Sequence, residues 1–106
     1  MILATAKKML FMLGIPALLL TAGCSTPEGN AEQGKRWYTM HNCFSCHGKN
    51  GNDGRTAEIA AIELSFRSFE SYLRDPDSPS MPKFPEKKLS KQDAADIYAW
   101  LKSLPK

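Results

Sequence analysis

The stretch Cys43-Phe44-Ser45-Cys46-His47 contains two cysteines separated by two residues and followed directly by a histidine. This C-x-x-C-H pattern is typical of covalent haem attachment. The two thiols would form thioethers with the vinyl groups of one porphyrin, and His47 would be the proximal ligand of the iron. The pattern occurs once in the chain, so it predicts one covalently bound haem c.

The same residues allow three other interpretations. A structural zinc site needs four Cys or His ligands, and the remaining candidates are His41 and Cys24. A thioredoxin-like redox pair needs a βαβ context, and no strand-like alternation surrounds the motif. A disulfide between Cys43 and Cys46 would leave His47 without a role. Covalent haem attachment accounts for both cysteines and the histidine together.

Residues 1–23 have the pattern of an export signal. Two lysines precede an apolar run over residues 9–20, and small residues then lead to Cys24. The run is too short to predict a membrane-spanning helix. The segment resembles a bacterial lipoprotein signal, which implies lipid attachment at Cys24, although Thr21 stands where that family usually has leucine. Ordinary cleavage that leaves a free thiol and an uncleaved anchor are the alternatives.

The chain is predicted to have a signal in residues 1–23, a polar tether in residues 24–30 and one haem domain in residues 31–106. Cleavage would leave 83 residues, near the lower limit for a hydrophobic core that is stable alone. A covalently bound porphyrin would therefore also stabilise the fold. The mature chain would have 12 basic and 11 acidic residues, a balance that gives no indication of a nucleic-acid partner.

The spacing of apolar residues predicts three main helices and no strand. The first follows the N-cap Asn30 and reaches about His41. The second covers about Ser65 to Arg74, and the third begins at Ser90, where Asp93 completes a variant of the capping box. The residues predicted to lie on the buried faces are Ala31, Gly34, Trp37, Tyr38, Phe66, Phe69, Leu73, Ala94, Ile97, Leu101 and Leu104.

The order helix, C-x-x-C-H, loop, helix, Met-Pro loop, helix resembles that of the small monohaem class I c-type cytochromes from about Ala31 to Leu104. The resemblance implies an all-α cytochrome c fold around one haem. Gly34 and Tyr38 correspond to the family's glycine and aromatic residue in the first helix. Trp100 stands where the family packs its last helix across the first. A close contact with another backbone or ring would explain Gly34, which lowers helix propensity.

Met81 is the predicted distal iron ligand. Four prolines in residues 76–85 exclude regular structure there and restrict the backbone around Met81. A thioether is a suitable iron ligand, and ligation by Met and His raises the reduction potential. The segment also resembles the family's Met-Pro-x-Phe loop. His41 is the alternative distal ligand, but it immediately precedes the attachment motif and would have to reach the opposite haem face.

The sequence does not identify the hydrogen-bond partner of the proximal histidine. Many relatives have a proline after the haem loop whose carbonyl accepts the other ring N–H of that histidine. The corresponding residues 56–60 contain no proline.

The resemblance implies an electron carrier rather than an enzyme, with redox protein partners and no small-molecule substrate. Three functions follow: an exported, membrane-tethered shuttle, a fixed subunit of a larger respiratory complex, and a catalytic or gas-binding haem protein. The last needs an open distal site, which Met81 argues against. The location would be the periplasmic or outer face of a cell-envelope membrane. The lysines predicted to border the haem edge are Lys49, Lys83, Lys87, Lys88 and Lys91.

Overall fold

The computed structural model describes residues 26–106. The predicted signal in residues 1–23 and the lipidation at Cys24 lie outside the described residues. The described part contains four α-helices and no strand, so the predicted all-α fold class is confirmed. The helices are α1 (Ala31–Met40), α2 (Phe44–His47), α3 (Phe66–Arg74) and α4 (Lys91–Ser103). Residues 26–106 contain no helix long and apolar enough to cross a bilayer.

The three longer helices begin where the sequence predicts. The side chain of Asn30 accepts a hydrogen bond from the Gln33 amide at 3.0 Å and caps α1. Ser65 caps α3 in the same way. At the start of α4, Ser90 accepts from the Asp93 amide at 3.0 Å while Asp93 accepts from the Ser90 amide at 3.4 Å. These side chains satisfy backbone donors that have no partner within their helices.

The helices α1 and α4 pack against each other at the centre of the domain. Gly34 is buried in this contact, and a Cβ atom there would collide with the Asp96 carbonyl group. Beside it, the rings of Tyr38 and Trp100 lie with their centroids 4.7 Å apart. Both sequence-based expectations, a close approach at Gly34 and an aromatic contact from Trp100, are therefore confirmed. The glycine allows the two backbones to touch.

A buried carboxylate connects the same two helices. Asp96 is only 6% exposed, and its Oδ1 accepts hydrogen bonds from the Asn30 amide at 2.8 Å and from Gln92 Nε2 at 3.1 Å. Its Oδ2 accepts from Trp37 Nε1 at 3.2 Å. Because a buried charge is costly unless it is hydrogen-bonded, these donors explain how α4 tolerates an aspartate on its buried face. The apolar spacing of α4 does not predict this buried polar residue.

The helix α3 covers the other side of α4. Its apolar stripe, formed by Phe66, Phe69 and Leu73, is buried as the spacing predicts. The rings of Phe66 and Phe69 contact Tyr98 of α4, with centroids 5.5 and 5.4 Å from it. One hydrophobic core thus joins α1, α3 and α4, and the segments between them lie around this core.

Candidate haem site

The end of α1 sets the position of the first motif cysteine. Asn42 adopts a left-handed conformation with φ of 60°. Its amide donates to the Thr39 carbonyl at 3.1 Å, and the Cys43 amide donates to the Tyr38 carbonyl at 3.1 Å. This pair of bonds is a Schellman motif, which ends a helix with a residue in the left-handed region, commonly Gly and sometimes Asn. Helix termination therefore places Cys43 beside the buried core.

The motif itself forms the single-turn helix α2, which the spacing of apolar residues does not predict. The His47 amide donates to the Cys43 carbonyl at 3.1 Å, and the Gly48 amide donates to the Phe44 carbonyl at 2.9 Å. Positions three apart lie on one face of a helical turn, so Cys43 and Cys46 share a side. Both thiols are free and partly buried. Burial raises the pKa of the Cys43 thiol to about 11.

The other interpretations of the motif find no support in this geometry. The two thiols are not joined to each other. Within residues 26–106, no three His, Cys, Asp or Glu side chains are grouped so that they could hold a metal ion. The same residues form no strand, so the motif lacks the βαβ setting of a thioredoxin-like pair.

The structure supplies a carbonyl partner for His47 that the sequence left open. Nδ1 of His47 lies 2.9 Å from the Ala57 carbonyl oxygen and 3.2 Å from Thr56 Oγ1. A carbonyl only accepts, so Nδ1 carries the proton in this contact and Nε2 keeps the lone pair that a metal ligand needs. The Thr56 hydroxyl in turn donates to the Cys46 carbonyl at 3.1 Å. The imidazole is thereby held in one tautomer and one orientation.

A buried tyrosine holds the residue that follows the motif. Tyr38 is 2% exposed, and its hydroxyl donates to the Gly48 carbonyl at 2.6 Å. Burial is the main cause that raises the pKa of Tyr38 to about 12, and the nearby negative charges of Cys43 and Asp53 act in the same direction. The hydroxyl therefore keeps its proton and remains a donor. Gly48 has φ of 86°, and a Cβ atom there would meet Asp53 and Gly54. Only glycine suits this turn.

Met81 lies in the proline-rich segment and is partly buried against the same hydrophobic core that Cys43 contacts. Its amide donates to the Ser78 carbonyl at 3.2 Å, which forms a short turn just before Pro82. The alternative ligand, His41, lies at the C-terminal end of α1. The His41 ring makes an edge contact with Phe84, with centroids 5.8 Å apart.

A protein-family model described as cytochrome C oxidase, cbb3-type, subunit III matches residues 29–101. The chain belongs to this family. It is therefore a c-type cytochrome, an electron-transfer haem protein that uses haem c and exchanges electrons with redox protein partners. No curated protein and no solved structure matches the chain significantly.

The residues of this cytochrome fit such a cofactor. Two free thiols lie on one helical turn, and the adjacent histidine has its Nδ1 atom held by a carbonyl. Met81, the predicted second ligand, is a soft thioether partly buried against the common core. Ala57 could not be identified from the sequence, because every residue has a carbonyl and the path of the loop selects the one that is used. The same path brings the Thr56 hydroxyl to His47.

Proposed function

We propose that this cytochrome is an exported monohaem carrier in which Cys43 and Cys46 bind the haem covalently and His47 and Met81 ligate the iron. A lipid on Cys24 would tether it to a cell-envelope membrane. There it would carry single electrons between respiratory proteins and would not catalyse a reaction of its own. The geometry of α2 is the main support for this proposal. The turn places both thiols on one side, and the Ala57 carbonyl leaves Nε2 of His47 unprotonated.

Bound haem would supply a reversible one-electron change at iron. The protein's own part is to hold the ligands through that change. Ala57 and Thr56 restrict rotation of the His47 ring, and the Schellman end of α1 holds Cys43. A thioether ligand at Met81 would leave no open distal position. Ligation by Met81 would therefore disfavour catalysis and gas binding, because both need an open distal position.

A fixed place in a larger respiratory complex is the second candidate. The description of the matching family, a subunit of a cbb3-type oxidase, supports it directly. Purification from native membranes in mild detergent would distinguish the two. A shuttle should separate from its partners at moderate salt, whereas a subunit should remain in a complex of constant stoichiometry.

We expect Cys24→Ser to move the cytochrome from the membrane fraction to the soluble fraction without changing its spectrum. One acyl chain binds a bilayer marginally, whereas the several chains of a mature bacterial lipoprotein anchor firmly. Fractionation and mass spectrometry of the N-terminal peptide measure the effect. Ser25→Ala is the matched control and should stay membrane-bound. Soluble wild-type protein, or an unmodified Cys24, would exclude the lipid tether.

Exposed lysines flank the segment that contains Met81. Lys83 lies 3.5 Å from Asp75 in an exposed ion pair, and Lys88 Nζ lies 6.0 Å above the Phe84 ring. Lys87 is exposed between these groups and α4. A local basic surface accelerates encounter with an acidic partner and is screened by salt. We propose that these lysines guide redox partners to the side of the domain that presents Met81.

The triple variant Lys83→Glu, Lys87→Glu, Lys88→Glu should slow electron exchange with the native partner about tenfold at low salt. Its salt dependence should flatten while the reduction potential stays nearly constant. Stopped-flow kinetics over a salt series measures the exchange rate and its salt dependence, and a redox titration measures the potential.

A matched triple variant is Lys35→Glu, Lys102→Glu, Lys106→Glu, which changes net charge equally. Lys106 pairs with Glu63 at 3.3 Å and Lys102 lies 5.5 Å from the Tyr98 ring, so similar contacts are lost. If both triple variants are slowed equally, net charge rather than this surface governs encounter. If Lys83→Glu, Lys87→Glu, Lys88→Glu exchanges electrons as fast as the wild type at low salt, these lysines do not guide partners.

A further inference from the structure

The segment that contains Met81 is closed at its base by the end of α3. We call residues 75–84 the methionine loop. The amide of Phe84 donates to the Leu73 carbonyl at 2.9 Å, and the carbonyl of Phe84 accepts from Arg74 Nη1 at 2.8 Å. Both backbone groups of Phe84 are therefore held by two consecutive residues of α3. The loop leaves this helix after Arg74 and returns to it at Phe84.

Arg74 also reaches beyond the loop. The same Nη1 atom donates to the Leu89 carbonyl at 2.6 Å, just before the N-cap of α4. One guanidinium group thus joins the end of α3, the end of the methionine loop and the approach to α4. Hydrogen bonds from a charged donor are stronger than those between neutral groups, and partial burial of Arg74 reduces competition from water.

Glu70 keeps the guanidinium in this orientation. Its Oε2 atom lies 2.9 Å from Arg74 Nη2, one helical turn away, and the two side chains are 20% and 23% exposed. A planar guanidinium can bind a carboxylate with one nitrogen and carbonyl groups with the other, which a lysine ammonium does not reproduce. Arginine therefore suits this position, because its guanidinium group can donate to two carbonyls and one carboxylate at once.

We propose that Arg74 is a positioning residue that holds the methionine loop closed and so keeps Met81 in place as the iron ligand. This inference rests on the proposed ligation by Met81. Met81 lies three residues before Phe84, and Pro82 restricts the backbone between them. The buried Phe84 ring anchors the loop on the core. Its amide is bound by Leu73 and its carbonyl by Arg74. Loss of the guanidinium removes the bond to the carbonyl, which loosens the end of the loop and lets another ligand compete with the thioether.

The test measures replacement of Met81 by added imidazole in the oxidised holoprotein, followed through loss of the far-red sulfur-to-iron band. Arg74→Gln should raise the apparent association constant for imidazole about tenfold or more, so that imidazole binds more tightly, because charge-assisted hydrogen bonds to two carbonyls are lost. Arg74→Lys should show a smaller rise, since one ammonium satisfies the acceptors incompletely. Arg67→Gln is the matched control on the same helix. Arg67 is exposed and contacts neither carbonyl, so the imidazole constant should not change.

The outcomes separate the two proposals. An unchanged imidazole constant in Arg74→Gln, with a normal far-red band in the wild type, would overturn the role of Arg74 and leave Met81 as ligand. A lower midpoint of global unfolding without any change in imidazole binding would also overturn it, because that result describes a purely structural residue. Absence of the band in the wild type would overturn ligation by Met81 and this inference with it. If Arg74→Gln fails to retain haem, the imidazole constant of Arg74→Lys is compared with that of the wild type instead, and an unchanged value would overturn the role of Arg74.

Discussion

Replacing Met81 with alanine should abolish the weak far-red band of the oxidised cytochrome and open the iron to cyanide or carbon monoxide. The reduction potential should fall by a substantial part of the roughly 0.8 V range that axial ligands span, because a thioether favours the reduced iron. Optical spectra, ligand titration and redox titration measure the three effects. Haem should stay covalently attached, since Cys43 and Cys46 are unchanged.

Met40→Ala is the matched control for this substitution. Met40 is 65% exposed at the end of α1, so its loss should leave the band, the ligand affinity and the potential as in the wild type. An unchanged spectrum in Met81→Ala would show that another residue is the distal ligand. His41→Ala would then test the alternative directly, because His41 contacts Phe84 at the edge of the same core.

Gly34→Ala should lower the free energy of unfolding by about 2 kcal/mol, the net of an overpacking cost of about 3 kcal/mol at a tight contact and the higher helix propensity of alanine. The added Cβ would meet the backbone carbonyl of Asp96, and no side-chain rotation relieves a collision with main chain. The helices α1 and α4 would have to separate, which weakens the contact between Tyr38 and Trp100. This cost exceeds the gain of about 1 kcal/mol that alanine gives over glycine within a helix.

Denaturant titration of the haem-loaded protein measures this change. Lys35→Ala is the control, because Lys35 is exposed on the same helix and such substitutions usually change stability by about 0.5 kcal/mol or less. Equal or greater stability of Gly34→Ala would contradict the close helix contact.

The helices and their starts were predictable because their determinants are local. Asn30, Ser65 and Ser90 each cap a helix through an amide only three residues away. The apolar stripes of α3 and α4 repeat within a few turns, so their spacing reveals the buried face before any partner is known. The family glycine and aromatic residue in α1 were also identified. The single turn α2 was not assigned, because four residues carry too little periodicity to distinguish a helix from a loop.

The sequence by itself determined the all-α class, the starts of α1, α3 and α4, the C-x-x-C-H motif and the proposed ligands His47 and Met81. Tertiary structure decided which groups support these residues. The Ala57 carbonyl faces His47, Asp96 accepts from Trp37, and Arg74 holds Phe84. Side-chain chemistry and short spacings are properties of the chain itself. A carbonyl, in contrast, occurs at every residue, and only the path of the folded backbone determines which one a donor reaches.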